Sequence, residues 1–234
     1  MKLVILGTAN SMVAAPYDDP TWEIWACQPA IAHVECKRVD RLFEFHEASY
    51  SNDPGVKARM VKADVPVMMK SISPDMPKSE RFPLEEMIAY YEAAGYVGAR
   101  YYTSTIALML AYALCVGRQG DAAERYEHIA LYGVHMSAEE EEYSKQRQAM
   151  EYWVGVANGL GVKIDLPVQS AICKSYRIYG YDAESAIVGD MRRQKAEIQV
   201  GIGQAKRELD GKVQQLYELS GALKIIEKMD REFS

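Results

Sequence analysis

The sequence predicts an α/β fold: a Rossmann-like parallel sheet with helices on both faces, followed by a C-terminal helical, coiled-coil-like extension. Three observations support this. The chain opens on a short apolar run that ends in glycine, Lys2–Gly7. Short β-favouring segments then alternate with helical ones, as a parallel sheet requires. From about Asp182 onward there is no proline and no strand pattern, and helical spacing takes over.

The predicted strands are short and end in polar or turn residues. The first, Leu3–Leu6, is too short for a helix, and the glycine after it lets backbone approach a ligand. Pro66 indicates an edge strand or a strand start. The proline-rich segment 71–83 is predicted to be a loop, and its length for a compact domain favours a position over a site. Further strands are predicted at 21–27, 41–46, 65–69, 128–133 and 162–167.

Three helices are predicted between these strands. The first spans 82–91 and ends near Gly95, with Pro83 near its start and acidic residues in its first turn. The second, 106–114, is nearly all apolar, which is typical of a helix buried against a sheet. The third spans 140–160.

The C-terminal segment is predicted to be a separate helical domain, so we divide the chain into 1–182 and 183–234. Helical composition begins near Ala183, with an interruption expected around Gly201 and Gly203. Two interpretations remain: an oligomerising arm, or a helical hairpin packed on its own domain. The apolar series that indicates a helical or coiled-coil seam is Leu209, Val213, Leu216, Leu223 and Ile226.

Composition excludes several classes of protein. With 234 residues and 49% hydrophobic content, the chain can bury a proper core. Its four cysteines are scattered without a C-x-x-C pair, which argues against a zinc cluster or a disulfide framework. No targeting or membrane-spanning segment is recognised, so a cytoplasmic protein is expected. A net charge of −6 argues against nucleic acid as the main partner.

The ligand is expected at the carboxyl ends of the strands, where loops and helix N-termini converge. The histidines His46 and His135 follow predicted strands there and are the candidate catalytic residues. The acidic run 139–142 is better explained by the helix dipole than by a metal, so no metal site is predicted. The candidate ligand-binding residues are Gly7, Thr8, Asn10, Ser11, Gln28, Thr103, Ser104, Thr105 and Gly133.

Four short motifs occur in order at these positions: Gly7–Ser11, Ala26–Gln28, Thr103–Thr105 and Leu131–Met136. They resemble the motifs of bacterial lipooligosaccharide-type sialyltransferases and of the related motility accessory proteins and phage proteins, over about residues 1–170. The resemblance implies a Rossmann-like fold that binds a cytidine nucleotide sugar. If the chain is encoded by a phage, as some proteins of this layout are, the expected location is the cytoplasm of the host.

The same resemblance implies specific nucleotide contacts. Carried over by position, they are Thr8, Ser11, Gln28, Ser104 and Gly133. The family's catalytic base is a histidine in a later loop, and no histidine follows His135 in this chain. Either His135 or His46 takes that role, or the chain does not perform the transfer.

Three functions therefore stay open. The first is an enzyme, a nucleotide-sugar-dependent glycosyltransferase in which a histidine deprotonates the acceptor hydroxyl. The second is a non-catalytic oligomeric protein that binds a nucleotide or a nucleotide-derived signal. The third is a scaffold in which a degenerate Rossmann-like domain serves the C-terminal helices. No cofactor beyond the nucleotide ligand is predicted.

Overall fold

A computed structural model describes residues 1–46, 53–118, 125–137, 141–175, 179–180 and 186–233. The chain forms two compact units, Met1–Cys173 and Lys174–Ser234. The functions predicted for 1–182 and 183–234 stay predictions.

A seven-stranded sheet organises the first unit, and all of its neighbouring strands are parallel. The strand order is β5-β4-β3-β2-β1-β6-β7. This arrangement confirms the predicted α/β, Rossmann-like fold class. The strands are β1 (Lys2–Leu6), β2 (Trp22–Cys27), β3 (Arg41–Glu44), β4 (Val67–Met69), β5 (Ser79–Arg81), β6 (His128–Tyr132) and β7 (Lys163–Asp165).

Helices follow most of the strands. Two short 3₁₀ helices, Asn10–Ala14 and Gln28–Ala32, begin close to the ends of β1 and β2. The α-helices are α1 (Pro54–Ala63), α2 (Leu84–Ala93), α3 (Thr105–Cys115), α4 (Glu141–Gly159) and α5 (Ala186–Phe233).

The segment around Pro66 differs from its prediction in one respect. Pro66 immediately precedes β4, which confirms the strand start, but β4 lies between β3 and β5 and is not an edge strand. The edge strand on this side of the sheet is β5, inside the segment predicted to be a loop. Residues 71–78 form the predicted loop, but residues 79–81 do not, and this strand, Ser-Glu-Arg, has no strand pattern because it is short and polar and carries no apolar alternation. It is held by backbone pairing to β4.

The core of the first unit lies around the central strands and α3. Leu3, Val4, Ile5 and Leu6 of β1 are fully buried. α3 contacts β1, β2 and β3, and eight of its eleven residues are buried. The apolar helix predicted over 106–114 is therefore confirmed, because a helix without a polar face must be covered.

The second unit contains one continuous helix of 48 residues, α5, which spans about 72 Å. It runs through Gly201 and Gly203 without a break. The predicted interruption is wrong, and so is a hairpin within 186–233. Each glycine costs about 1 kcal/mol in a helix, and the helix-favouring residues around this pair outweigh it. Across the described ranges, every helix is too short or too polar to cross a membrane.

Candidate functional site

The candidate site lies where the strand order reverses. β2 continues the sheet on one side of β1, and β6 continues it on the other. The connections that leave β1 and β6 therefore diverge, and a crevice opens beyond the carboxyl ends of these two strands. Both ends carry a glycine, Gly7 after β1 and Gly133 after β6.

These two glycines bring the two connections into backbone contact. The Gly7 amide donates to the Tyr132 carbonyl at 2.8 Å, and the Ala9 amide donates to the Gly133 carbonyl at 2.9 Å. A Cβ atom at Gly7 would lie 2.4 Å from the Gly133 carbonyl oxygen, and a Cβ at Gly133 would lie 2.4 Å from that of Gly7. Gly133 also has a φ of +69°, a conformation that favours glycine. Both positions therefore require glycine, because any larger residue would prevent the two connections from crossing at this distance. We call this contact between Gly7 and Gly133 the crossing.

Ser11 extends this crossing toward the cavity. Its Oγ accepts a hydrogen bond from the Gly133 amide at 2.9 Å. The same oxygen lies 2.9 Å from Nε2 of His135. One hydroxyl thus ties the loop after β1 to the loop after β6 and orients the His135 ring.

A cavity of about 570 Å³ opens at this edge of the sheet. Its walls come from the connections after β1, β2, β3 and β6, from the start of α3 and from α4. The lining residues are Thr8, Ala9, Cys27, Pro29, His46, Thr103, Ser104, Thr105, Ile106, Gly133, Val134, His135, Met136, Ser137 and Gln146.

The N-terminus of α3 forms one wall of the cavity. Ser104 is the N-cap: its Oγ accepts a hydrogen bond from the Ala107 amide at 3.2 Å. The first amides of an α-helix have no intrahelical partner, and two first-turn residues, Thr105 and Ile106, line the cavity. The first turn contains no acidic residue. Thr103 Oγ1 donates to the Lys145 carbonyl at 3.2 Å, which fixes this segment against α4.

A second histidine, His46, lies just beyond the end of β3. Its Nδ1 is 2.8 Å from Oε1 of Glu44, and its backbone amide donates to the same oxygen at 2.6 Å. The Glu44 side chain is fully buried, whereas that of His46 is 46% exposed. A buried carboxylate therefore fixes the orientation of an accessible imidazole at the cavity wall.

Cys27 lines the same cavity, but its thiol is a poor nucleophile. Burial raises the pKa of Cys27 to about 12. The thiol is therefore protonated near neutral pH, and only a thiolate reacts readily. In the part of the chain that the structure describes, no group of three or more His, Cys, Asp or Glu side chains is placed to bind a metal ion.

The structure brings most of the predicted site residues together. Thr8, Gly133, His46, His135 and the three residues 103–105 line the cavity. Gly7 and Ser11 build the crossing behind it. Asn10 is exposed at the start of the first 3₁₀ helix, and Gln28 is fully buried at the start of the second. Neither is among the cavity-lining residues, and ligand binding by any of these residues stays a prediction.

Sequence reasoning missed two of the polar residues at the site. Glu44 carries a signal in the sequence, because a carboxylate at the end of an apolar strand and two residues before a histidine needs a partner. Gln146 carries none. It reaches the cavity from α4, and only the packing of α4 against α3 and β7 brings it there.

Comparisons with known proteins gave matches by structure but not by sequence. No family model matches the chain, and no curated protein matches it. Among solved structures, one similar chain is the sialyltransferase CST-II in complex with a trisaccharide acceptor and CMP, with 12% identity and a TM-score of 0.46. The match covers 71% of this chain and 80% of that one.

A point mutant of the alpha-2,3/8-sialyltransferase CstII is also similar, with 13% identity and a TM-score of 0.44, over 71% of this chain and 81% of that one.

Proposed function

We propose that the chain binds a nucleotide or a nucleotide sugar at the C-terminal edge of its sheet. One observation carries the proposal: the cavity at the reversal of strand order is bounded by both glycine connections and by the N-terminus of α3. Its volume of about 570 Å³ is in the usual range for sites that bind small molecules.

The start of α3 supplies what a phosphate needs. A helix N-terminus combines amide donors with the positive end of the helix dipole, which favours an anion. The hydroxyls of Ser104 and Thr105 add donors at the same wall, whereas the Thr103 hydroxyl already donates to the Lys145 carbonyl. The residues described as lining the cavity include no Asp or Glu, so no carboxylate among them repels the phosphate.

If the protein is an enzyme, the site favours glycosyl transfer, with His46 as the general base. His46 Nε2 takes the proton from an acceptor hydroxyl. The hydroxyl oxygen forms a bond to the anomeric carbon of the sugar, and the bond from that carbon to the nucleotide phosphate breaks. The phosphate leaves with the electron pair, next to the α3 N-terminus. Glu44 holds the imidazole in place through its contact with Nδ1, which leaves Nε2 to act as the base.

The alternative is a protein that binds the nucleotide without consuming it. The cavity-lining residues contain histidines but no second titratable group of the Asp, Glu, Lys or Arg type. This composition also suits a non-catalytic oligomeric binder. A scaffold with an empty cavity is the third candidate, and ligand binding separates it from the other two.

Ligand binding is tested by thermal shift with CMP, UMP, AMP, GMP and their sugar conjugates. A ligand at 100 times its dissociation constant adds about 2.7 kcal/mol of apparent stability. Ser104→Asp is the informative variant. Aspartate caps a helix as well as serine does, so the free protein keeps its melting temperature, but the added charge at the phosphate wall abolishes the shift. No shift with any of these ligands, or an undiminished shift in Ser104→Asp, contradicts the proposal.

Turnover is tested on whichever ligand binds, by following nucleotide release and sugar transfer. For an enzyme, His46→Gln lowers kcat by about 10²- to 10⁴-fold without abolishing the thermal shift. His33→Gln is the matched control, since His33 is exposed and is not among the cavity-lining residues. Recovery of the intact ligand after incubation with the wild-type protein favours the binder over the enzyme.

A further inference from the structure

α5 exposes an apolar seam along more than half of its length. Its large aliphatic side chains are between two fifths and two thirds exposed. A soluble helix is stabilised mainly by covering its apolar face, and isolated helices are marginal in water. The residues that form the seam are Ile198, Ile202, Leu209, Val213, Leu216, Leu219, Leu223 and Ile226.

The seam follows a heptad repeat over four heptads. In the usual abcdefg notation, the a positions are Ile202, Leu209, Leu216 and Leu223. The d positions are Ile198, Ala205, Lys212, Leu219 and Ile226. Val213 occupies an e position beside the seam. Such a seam fits another helix with the same repeat, by insertion of a and d side chains between residues of the facing helix.

We propose that α5 pairs with α5 of a second copy of this chain as an antiparallel two-stranded coiled coil, with its two-fold axis near Val213 and Gln214. The inference goes beyond nucleotide binding and does not depend on it. The second copy is the fitting occupant because the seam complements itself about this axis.

Two d positions, Ala205 and Lys212, do not carry a large aliphatic side chain, and they decide whether the two helices pair parallel or antiparallel. In a parallel, in-register pair, Lys212 faces Lys212 of the second copy, so two like charges meet in the interface. Ala205 likewise faces Ala205 and leaves a gap in the core. A parallel pair is therefore disfavoured twice within four heptads.

The antiparallel pair removes both defects. Position a then faces position d of the other helix, so Ala205 packs opposite Leu223 and a small side chain meets a large one. Lys212 lies opposite Leu216, where its methylene groups cover apolar surface and its ammonium reaches solvent. Val213 faces Val213 at the two-fold axis, which explains an apolar residue at an e position. Each copy contributes the same surface, as a two-fold interface requires.

Adjacent isoleucines test the seam. Ile225 and Ile226 are 63% and 62% exposed on the isolated helix, but only Ile226 lies at a d position. In the full-length chain, Ile226→Asp weakens the dimer by about 100-fold or more, because both copies lose a buried aliphatic group. Ile225→Asp, the matched control, leaves the dimer intact. Analytical ultracentrifugation measures both.

The same measurement has outcomes that overturn the inference. A monomeric wild-type protein means that a different partner covers the seam. Equal dissociation by Ile225→Asp and Ile226→Asp means that association does not follow the heptad repeat. Circular dichroism at 222 nm and tryptophan fluorescence show whether either variant has unfolded.

Spin labels test the orientation. Single cysteines replace Gln204 and Gln214 in a full-length background with Cys36→Ser and Cys173→Ser, and double electron–electron resonance measures the distance between identical labels. Both positions lie on the outer face of the coil, so labels at the same level are separated by about the width of two helices, roughly 20 Å. In the antiparallel pair this holds for the 214 labels, whereas the 204 labels are in addition offset along the axis by roughly 30 Å and are clearly farther apart. Equal distances at the two sites overturn the antiparallel arrangement and indicate a parallel coil.

Discussion

The N-terminal unit and α5 use the same aliphatic residues in opposite ways. In the N-terminal unit, the aliphatic residues of β1 are fully buried, and most of α3 is covered by neighbouring strands and helices. On α5, leucines and isoleucines such as Leu216 and Leu219 are more than half exposed. The apolar residues of the N-terminal unit therefore stabilise it through contacts within the chain. The apolar residues of α5 stabilise their helix only when a second helix or another partner covers them.

Truncation of one large side chain in each region provides the largest contrast. Trp153 is fully buried, donates from Nε1 to the Tyr101 carbonyl at 2.9 Å and stacks on Tyr102. Trp153→Ala therefore lowers the free energy of unfolding of the N-terminal unit by about 3–5 kcal/mol. Leu219→Ala on α5 leaves that free energy within about 0.5 kcal/mol.

Tryptophan fluorescence during urea unfolding measures this contrast. All three tryptophans of the chain, Trp22, Trp25 and Trp153, lie in the N-terminal unit, and two remain in the Trp153→Ala variant. The comparison fails if Leu219→Ala shifts the fluorescence transition as far as Trp153→Ala does.

A glycine substitution tests the crossing of the two connections at the site. Gly133→Ala places a Cβ against the Gly7 carbonyl in addition to adopting a positive φ. We expect a loss of about 2–4 kcal/mol, from the left-handed conformation and the clash together. Gly161→Ala is the control, with φ +75° and no atom within 4 Å of the added Cβ. It loses only about 1–2 kcal/mol, and equal losses in the two variants would contradict the close approach.

A serine substitution has a smaller expected effect. Ser11→Ala removes the acceptor of the Gly133 amide and the partner of His135 Nε2. The expected loss is about 1–2 kcal/mol, because a part-buried donor loses its partner. Ser220→Ala on the exposed face of α5 changes the free energy of unfolding by less than about 0.5 kcal/mol. Thermal unfolding of both variants compares them, and equal effects would mean that Ser11 does not hold the two loops together.

The fold was predictable because its elements have local causes. β1 is a short apolar run before a glycine, and α3 is an apolar helix behind a serine cap; both patterns are visible in a few consecutive residues. β5 was not predictable, because its three residues, Ser-Glu-Arg, follow no strand pattern and are held by pairing to β4. The unbroken course of α5 is not visible at Gly201 and Gly203 themselves, because the helix-favouring residues over the rest of α5 outweigh the cost of the two glycines.

The site was predictable to the extent that it follows from the sheet. The carboxyl ends of parallel strands share one edge, so His46, His135 and Gly133 were expected near one another, and they line one cavity. The interaction between Ser11 and Gly133 joins residues far apart in sequence, and it depends on β6 lying next to β1. Strand order of this kind has no local signature. This is also why Gln146 on α4 was missed.

The smallest expected effect concerns Asp165 on the edge strand β7, which contacts His128 on the neighbouring strand β6 and Lys163 on its own strand. Although partial burial opposes it, hydrogen bonds from His128 and Lys163 hold the pKa of Asp165 below its ordinary value of 3.8. His128 Nε2 lies 2.5 Å from Oδ2 of Asp165. The carboxylate therefore stabilises the folded protein above pH 3.8, and this contribution is lost as the pH falls through the lowered pKa. Because the Asp165 side chain is 46% exposed, solvent keeps the effect small.

Asp165→Asn tests this contribution against the same change on α5. The variant is less stable than the wild type at pH 6, and the difference shrinks as the pH is lowered below 3.8, because the wild-type carboxylate also loses its charge there. Asp210→Asn removes the same charge from the exposed surface of α5, and no comparable pH dependence is expected in the N-terminal unit. Tryptophan-detected unfolding from pH 3 to pH 6 measures both. A stability difference for Asp165→Asn that stays constant over this range would show that the carboxylate acts by packing rather than by charge.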